Sequence, residues 1–151
     1  LSGNQVPKPQ AVVAGIGRGQ LLWLTEHRAL KKAVYERYRE GLSGLPLSMN
    51  PYLPESEPNF WLSCVALDAD SGVRPADVLR ALEAQNMEGR PLWKPMHLQP
   101  VYAGREFVSL SGGDVGGDLF ARGLCLPSDI KMTAQEQDRV IAVVRSCFEK
   151  S

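Results

Sequence analysis

The 151-residue chain lacks an excess of charge of one sign, a long apolar run and a dense set of cysteines. Its 17 Lys and Arg balance 17 Asp and Glu, so nothing predicts the basic patch that nucleic-acid binding requires. No apolar stretch approaches the roughly 20 residues of a membrane-spanning helix. The first residues, Leu1–Gln5, show neither the basic start nor the apolar segment of a signal peptide. We therefore expect a globular, cytoplasmic protein that binds neither nucleic acid nor membrane.

Residues that build metal and disulfide sites are equally scarce. The three cysteines, Cys64, Cys125 and Cys147, form no CxxC motif and lie in apolar strings, which indicates buried, reduced thiols. The only histidines are His27 and His97, and neither has a cysteine at zinc-ligand spacing. The sequence therefore predicts no metal site and no disulfide framework.

What the chain does contain is an alternation of helical and strand-like segments. An extended leader is expected at residues 1–9, and apolar residues then recur with helical spacing over 10–42, with a bend or break near Thr25–Glu26. Residues 43–151 read as two strands, a helix, a strand, a helix, a strand and a final helix. This order predicts an α+β domain of two layers, with a small sheet covered on one face by helices.

Local signals support several of these elements. Asn59–Leu67 is almost continuously apolar and predicts a strand buried on both faces, with Trp61 in the core. Pro75 suits the first position of a helix, and Asp114 suits the N-cap of a glycine-weakened helix. Thr133–Glu136 has the pattern of a capping box, which predicts where the final helix begins.

Side chains suited to ligand binding concentrate in the proline-rich stretch Arg90–Pro100. Its prolines exclude an α-helix and favour extended neighbours, and Gln99–Tyr102 is also expected to be extended. An arginine, a lysine, a histidine and a tryptophan together suit a polar, partly anionic ligand. The candidate substrate-binding residues are Arg90, Trp93, Lys94, His97 and Gln99.

Each candidate also has an ordinary structural explanation. Arg90 could pair with a phosphate or carboxylate, and Trp93 could stack on a sugar or base or simply fill the core. His97 could exchange a proton with a ligand or only bond to the backbone. Lys94 could equally be a solvated loop lysine, and Gln99 is the weaker polar candidate.

Three strings in the second half of the chain resemble a known family. RPLWKPMHLQPVY at 90–102, LFARGLCLP at 119–127 and MTxxxxDRVIAVVR at 132–145 resemble the C-terminal part of the DegT/StrS-type nucleotide-sugar aminotransferases. The resemblance runs from about Ala14 to Arg145, which would be the last third of a full-length member. It implies an aminotransferase small domain with a mainly antiparallel sheet. It also implies pyridoxal phosphate for the full-length family but no cofactor bound by this chain alone.

The same resemblance implies that the family's catalytic residues belong to another domain. The family's Schiff-base lysine and ring-nitrogen acid belong to a large domain that precedes this part, and no lysine here lies in such a motif. Val6–Ala11 replaces an Asn-Tyr-Arg-Met-Ser-Asn-like phosphate motif and keeps only the charge of Lys8, while Asp129–Ile130 replaces a Gly-Ser turn. We expect a gene fragment joined to an unrelated leader, and we assign no catalytic or cofactor-binding residue.

Three functions stay open at this point. The chain is a C-terminal aminotransferase domain that does not transaminate alone, half of a split enzyme completed by a separate large domain, or a standalone binding or oligomerisation module. The Gln10–Leu42 helix is apolar on nearly every side, and a helix of that kind requires burial all round. We therefore expect a homo-oligomer, such as a dimer, that forms through this helix.

Overall fold

The computed structural model describes residues 9–110 and 112–149, which form an α+β domain of two layers. Its helices are α1 (Pro9–Leu21), α2 (Leu24–Gly41), α3 (Pro75–Glu83), α4 (Val115–Arg122) and α5 (Ala134–Phe148). Its strands are β1 (Leu47–Met49), β2 (Ser63–Leu67), β3 (Arg90–Pro91) and β4 (Gly123–Leu126). The predicted fold class is confirmed. Apart from Pro9, which begins α1, the predicted leader lies outside the described residues.

The segment predicted as one long helix consists of two helices. The chain turns at Leu22 and Trp23, so the break comes just before the expected bend at Thr25–Glu26. Of these two helices only α2 has buried side chains, whereas apolar residues of α1 are more than half exposed, among them Val12, Val13 and Ile16. Across the described residues, no helix has both the length and the apolar character needed to cross a bilayer.

The sheet has the strand order β1-β2-β4-β3, and every neighbouring pair is antiparallel. Burial alternates along β2, because successive side chains of a strand point to opposite faces. Val65 and Leu67 belong to the core, while Cys64 and Ala66 lie on the other face and are half-buried. The sheet therefore has one face packed by helices and one face that the helices leave available.

The hydrophobic core lies between the sheet and helices α2, α3 and α5. Tyr38 of α2 is completely buried, and its hydroxyl donates to the carbonyl of Pro127, 2.8 Å away, just beyond β4. Gln137 of α5 is buried as well, and its amide donates to the carbonyl of Val34 at 2.6 Å. The Tyr38 hydroxyl and the Gln137 amide therefore both have hydrogen-bond partners, and these two bonds join α2 to the end of β4 and to α5.

The predicted helix starts are confirmed where side chains cap them. Pro75 is the first residue of α3. The Thr133 hydroxyl accepts from the Glu136 amide at 3.2 Å, and a Glu136 carboxylate oxygen accepts from the Thr133 amide at 2.8 Å. A carboxylate oxygen of Asp114 accepts from the amide of Gly117 at 2.7 Å. These short-range signals depend only on local geometry, which is why sequence reasoning locates them well.

The strand expected at Asn59–Leu67 is shorter than predicted. Phe60 adopts the left-handed region, with φ of 51°, and its buried ring packs against Tyr35 and Tyr52. This conformation interrupts the extended run, so β2 begins only at Ser63. The prediction that Trp61 belongs to the core is wrong, since this side chain is 62% exposed.

The proline-rich stretch is also less extended than predicted. It contains two single turns of 3-10 helix, Met96–Leu98 and Pro100–Tyr102, so the expectation of an extended Gln99–Tyr102 is wrong. Proline presets φ near −65°, which fits the first position of such a turn as well as it fits an extended segment. The prolines do exclude a longer helix in this stretch.

Candidate functional site

The face of the sheet opposite the core carries a cavity of about 510 Å³. It lies over β3 and β4, where Arg90 is paired in register with Cys125. The rings of Trp61 and Trp93 form one wall, with centroids 5.9 Å apart and planes inclined by 34°. Both indoles are more than 60% exposed. The cavity therefore combines two accessible aromatic surfaces with a guanidinium group among its lining residues.

Arg90 is held at this cavity by a weak local partner. A guanidinium nitrogen contacts a carboxylate oxygen of Glu88, and both side chains are more than 70% exposed. Ion pairs of this kind contribute little to stability because water screens them. An anionic ligand can therefore replace Glu88 at the Arg90 guanidinium at small cost.

Lys31 of α2 fixes the rim of the same cavity. Its ammonium group donates to the carbonyl of Trp61 at 3.1 Å and to the carbonyl of Ser128. The hydroxyl of Ser128 in turn accepts from the amide of Ser63, 3.0 Å away. These contacts join the start of β2 to the end of β4, so the Trp61 side of the cavity has a defined backbone position.

His97 has partners away from this cavity. Its Nε2 lies 2.7 Å from a carboxylate oxygen of Asp114, and its ring stacks on Phe107 with centroids 3.9 Å apart and a 21° tilt. The hydrogen bond from His97, followed by the one from the Gly117 amide, holds the pKa of Asp114 below its usual range. The imidazole therefore joins the proline-rich loop to the first turn of α4.

The structure separates the five predicted site residues into two groups. Arg90 and Trp93 line the cavity, whereas His97 faces Asp114, and the amide of Gln99 donates to the Lys94 carbonyl at 3.1 Å within the loop. The Lys94 side chain makes no hydrogen bond or ion pair to another described residue. The lining residues that sequence reasoning missed include Trp61, Glu88 and Ser128. They come from separate segments, and no short motif connects them.

We expect Asp114→Asn to destabilise the chain near neutral pH and to have progressively less effect in acid. A carboxyl group with a lowered folded-state pKa stabilises the fold above its unfolded pKa, near 3.9. That contribution disappears as the pH falls through the lower, folded-state value. Urea unfolding of both proteins from neutral to acidic pH measures the difference.

Asp70→Asn, at an exposed turn position, is the matched control and should show no such pH dependence. A constant difference between Asp114→Asn and the unchanged chain at every pH would contradict the assignment of the stabilising charge to Asp114.

Pyridoxal phosphate requires a lysine amine for its Schiff base and an acid at the ring nitrogen. Within the described residues, the Lys31 ammonium is already bonded to two main-chain carbonyls. None of the described lysines is among the residues that line the 510 Å³ cavity. The lining of this cavity therefore offers no lysine for the Schiff base of this cofactor.

Comparison with known proteins places this fold and cavity in context. Residues 8–145 match the DegT/DnrJ/EryC1/StrS aminotransferase family. EpsN of Bacillus subtilis, whose name assigns it to the pyridoxal phosphate-dependent aminotransferases, is 39% identical over 139 residues, which are 91% of this chain and 35% of EpsN. A GDP-perosamine synthase of Caulobacter vibrioides is 30% identical over 88% of this chain and 36% of its own length.

Solved structures agree with the sequence comparisons. The aminotransferase TlmJ from Streptoalloteichus hindustanus superimposes with a TM-score of 0.73 and 27% identity, over 92% of this chain and 36% of TlmJ. The chain thus spans about a third of the length of the relatives it matches. The family match extends over most of the sequence, and the fold agrees with it. The chain belongs to the DegT/DnrJ/EryC1/StrS aminotransferase family.

Proposed function

We propose that this chain is the substrate-facing, C-terminal-type domain of a nucleotide-sugar aminotransferase and that it does not transaminate alone. The observation that carries the proposal is the cavity on the free face of the sheet. It has two exposed tryptophans and an arginine in its wall, and no described lysine. The relatives support the substrate class, since one is named for a GDP-linked sugar.

The proposed recognition follows from the chemistry of the lining residues. A nucleotide sugar carries a flat base, a sugar ring with an apolar face and a negatively charged diphosphate. The Trp61 and Trp93 rings offer stacking surfaces for the ring systems. The Arg90 guanidinium is suited to bidentate contact with phosphate oxygens once Glu88 is displaced. The cavity volume of about 510 Å³ is within the range usual for small-ligand sites.

The reaction would need a second domain that binds pyridoxal phosphate and forms the other side of the cleft. In this proposal the Schiff-base lysine and the ring-nitrogen acid come from a large aminotransferase domain, either in the same polypeptide or in a separate partner. The bound cofactor would supply the electron sink for amino transfer. Residues of this chain would bind and orient the nucleotide sugar and exclude water from one side of the cleft.

The exposed apolar surface of α1 supports the expected assembly. Val13 and Leu21 are 68% and 65% exposed. Ideal Cβ atoms at Gly15, Gly17 and Gly19 would meet nothing within 4 Å, so another helix can approach this helix closely. We propose that a second copy of the chain, or the large domain, covers α1. A standalone oligomerisation module remains the alternative function, and the ligand test below separates the two.

The cavity is tested by titrating the purified chain with UDP-, GDP- and dTDP-sugars by calorimetry. Trp93→Ala should weaken binding by about 2- to 10-fold, the value of one aromatic stack. Arg90→Ala should weaken it by about 10-fold or more, as expected for a charge-assisted hydrogen bond. Glu88→Gln is the matched control and should strengthen binding, because it removes the carboxylate that competes for Arg90.

Two outcomes would contradict the proposal. Binding that does not change in either variant, or no binding of any nucleotide sugar, would favour the oligomerisation module. A new absorbance band with pyridoxal phosphate that disappears in Lys94→Ala would show that the isolated chain forms a Schiff base, against the statement that it does not transaminate alone.

A further inference from the structure

Two of the three cysteines face each other across neighbouring strands, and the proposed function assigns no role to either of them. Cys64 of β2 and Cys125 of β4 are direct partners in the antiparallel register. Their Sγ atoms are 3.6 Å apart, and neither forms a disulfide. Both lie on the sheet face opposite the core, whereas Cys147 is on α5 and packs against the core. The pair is therefore a vicinal dithiol in three dimensions, although 61 positions separate its members.

The hydrogen bonds around Cys64 show which type of strand pair this is. Its amide donates to the side-chain oxygen of Asn50 at 2.9 Å, and its carbonyl accepts from the Asn50 amide at 3.0 Å. Both backbone groups of Cys64 thus point away from β4. Cys64 and Cys125 consequently form a non-hydrogen-bonded antiparallel pair, in which Cα atoms are about 4.5 Å apart and side chains lie closest. That separation is within the range of roughly 4.4–6.8 Å that a disulfide accepts.

Access to the two sulfur atoms differs. Cys64 is half-buried and lines a second cavity, of about 270 Å³, that Trp61 and Trp93 also border. Cys125 is buried and lines the 510 Å³ cavity. Burial, followed by the neighbouring Cys125, raises the pKa of the Cys64 thiol to about 12. Because the thiolate is the nucleophile, reaction at Cys64 should be slow at neutral pH and faster in alkali.

We propose that Cys64 and Cys125 form a redox site that reduces a small disulfide of the glutathione class and closes into a cross-strand disulfide. The Cys64 thiolate attacks one sulfur of the oxidised glutathione, whose S–S bond breaks and releases one glutathione, which takes up a proton. The Cys125 sulfur, deprotonated in its turn, then attacks the Cys64 sulfur of the mixed disulfide and releases the second glutathione. Two cysteine thiols are oxidised, and one glutathione disulfide is reduced to two thiols.

The closed form should reopen readily. Directly opposed residues keep Cβ atoms about 4.5–5.5 Å apart, whereas a relaxed disulfide brings them to about 3.8 Å. The strands must shift to make up the difference, and strained disulfides are the ones that thiols reduce most easily. The site is thus a reversible dithiol beside the candidate ligand cavity and not a permanent structural bridge.

The test equilibrates the purified chain in mildly alkaline glutathione buffers of increasing oxidised fraction, followed by acid quenching and maleimide labelling. Intact mass should reveal a species lighter by two hydrogens that carries a single label, on Cys147. Digestion should give one linked peptide pair that contains Cys64 and Cys125, and reduced glutathione should reverse it. Cys125→Ser should stop at a glutathione adduct on Cys64, while Cys64→Ser should form neither adduct nor bridge. Cys147→Ser is the matched control and should still close.

Several results would overturn the proposal. These are three labelled thiols at every buffer ratio, a bridge that includes Cys147 or joins two chains, and a stable glutathione adduct on Cys64 in the unchanged chain. Circular dichroism shows whether the serine variants are folded. If one is not, the linked peptide from the unchanged chain decides the question, since it requires no substitution.

Discussion

Tyr38→Ala should lower the free energy of unfolding by about 3–5 kcal/mol, the loss typical of a large aromatic side chain removed from a core. Tyr38 is completely buried in the cluster that joins α2 to the sheet and to α5. Burial also raises the pKa of its hydroxyl, which indicates a site that excludes water. Urea unfolding followed by circular dichroism measures the loss.

Tyr38→Phe separates the hydroxyl from the ring. It keeps the packing but leaves the carbonyl of Pro127, now 2.8 Å from the hydroxyl, without this donor. We expect a loss of about 0.5–1.5 kcal/mol, the net contribution of a typical hydrogen bond. Tyr102→Ala, at an exposed position, is the matched control and should stay within about 0.5 kcal/mol of the unchanged chain. Equal stability of Tyr38→Ala and Tyr102→Ala would contradict the position of Tyr38 in the core between α2 and the sheet.

Gly123→Ala should destabilise the chain by about 1–3 kcal/mol or more, as overpacking of a close contact does. A Cβ atom at this position would lie 2.1 Å from Cδ1 of Leu92 and 2.6 Å from the carbonyl oxygen of Leu119. The Leu92 side chain can move, but the Leu119 oxygen belongs to the backbone of α4. Gly123 has a φ of −106°, so the penalty comes from space and not from backbone conformation. Gly123 is the first residue of β4, directly after the end of α4.

The same substitution should also disturb the candidate site, because Leu92 directly precedes Trp93. We expect nucleotide-sugar binding to weaken in Gly123→Ala even under conditions where the variant stays folded. Gly17→Ala is the matched control, since its added Cβ meets nothing within 4 Å and α1 gains helix propensity. If Gly123→Ala were as stable as Gly17→Ala, this result would contradict the close approach of α4, β4 and the proline-rich loop at Gly123.

The starts of the helices show which structural features a short stretch of sequence can predict. The capping box at Thr133, the N-cap at Asp114 and the proline that begins α3 were all located from a few neighbouring residues. Propensity and capping act within one or two turns, so a short window contains the whole cause. The strand expected at Asn59–Leu67 was only partly right, because the aromatic packing of Phe60 with Tyr35 and Tyr52 interrupts it.

The candidate site shows which features a short stretch of sequence cannot predict. Arg90 and Trp93 were proposed as site residues because they lie in one unusual loop, and both line the cavity. The same loop gave His97, whose partner is Asp114 on the far side of the loop, 17 residues away. Trp61, the second aromatic residue of the cavity wall, was assigned to the core. A continuous run of apolar residues does not show which face of the sheet each side chain lies on.

By itself, the sequence determined the α+β class, the order of the elements, the main helix caps and, through three long strings, the aminotransferase family. These follow from contacts between near neighbours and from the preserved residue pattern of the family. Only the tertiary structure decided that Trp61 meets Trp93, that His97 faces Asp114 and that Cys64 lies against Cys125. Each of these pairs joins segments far apart in the chain, and their meeting depends on strand register and on which face of the sheet the helices cover.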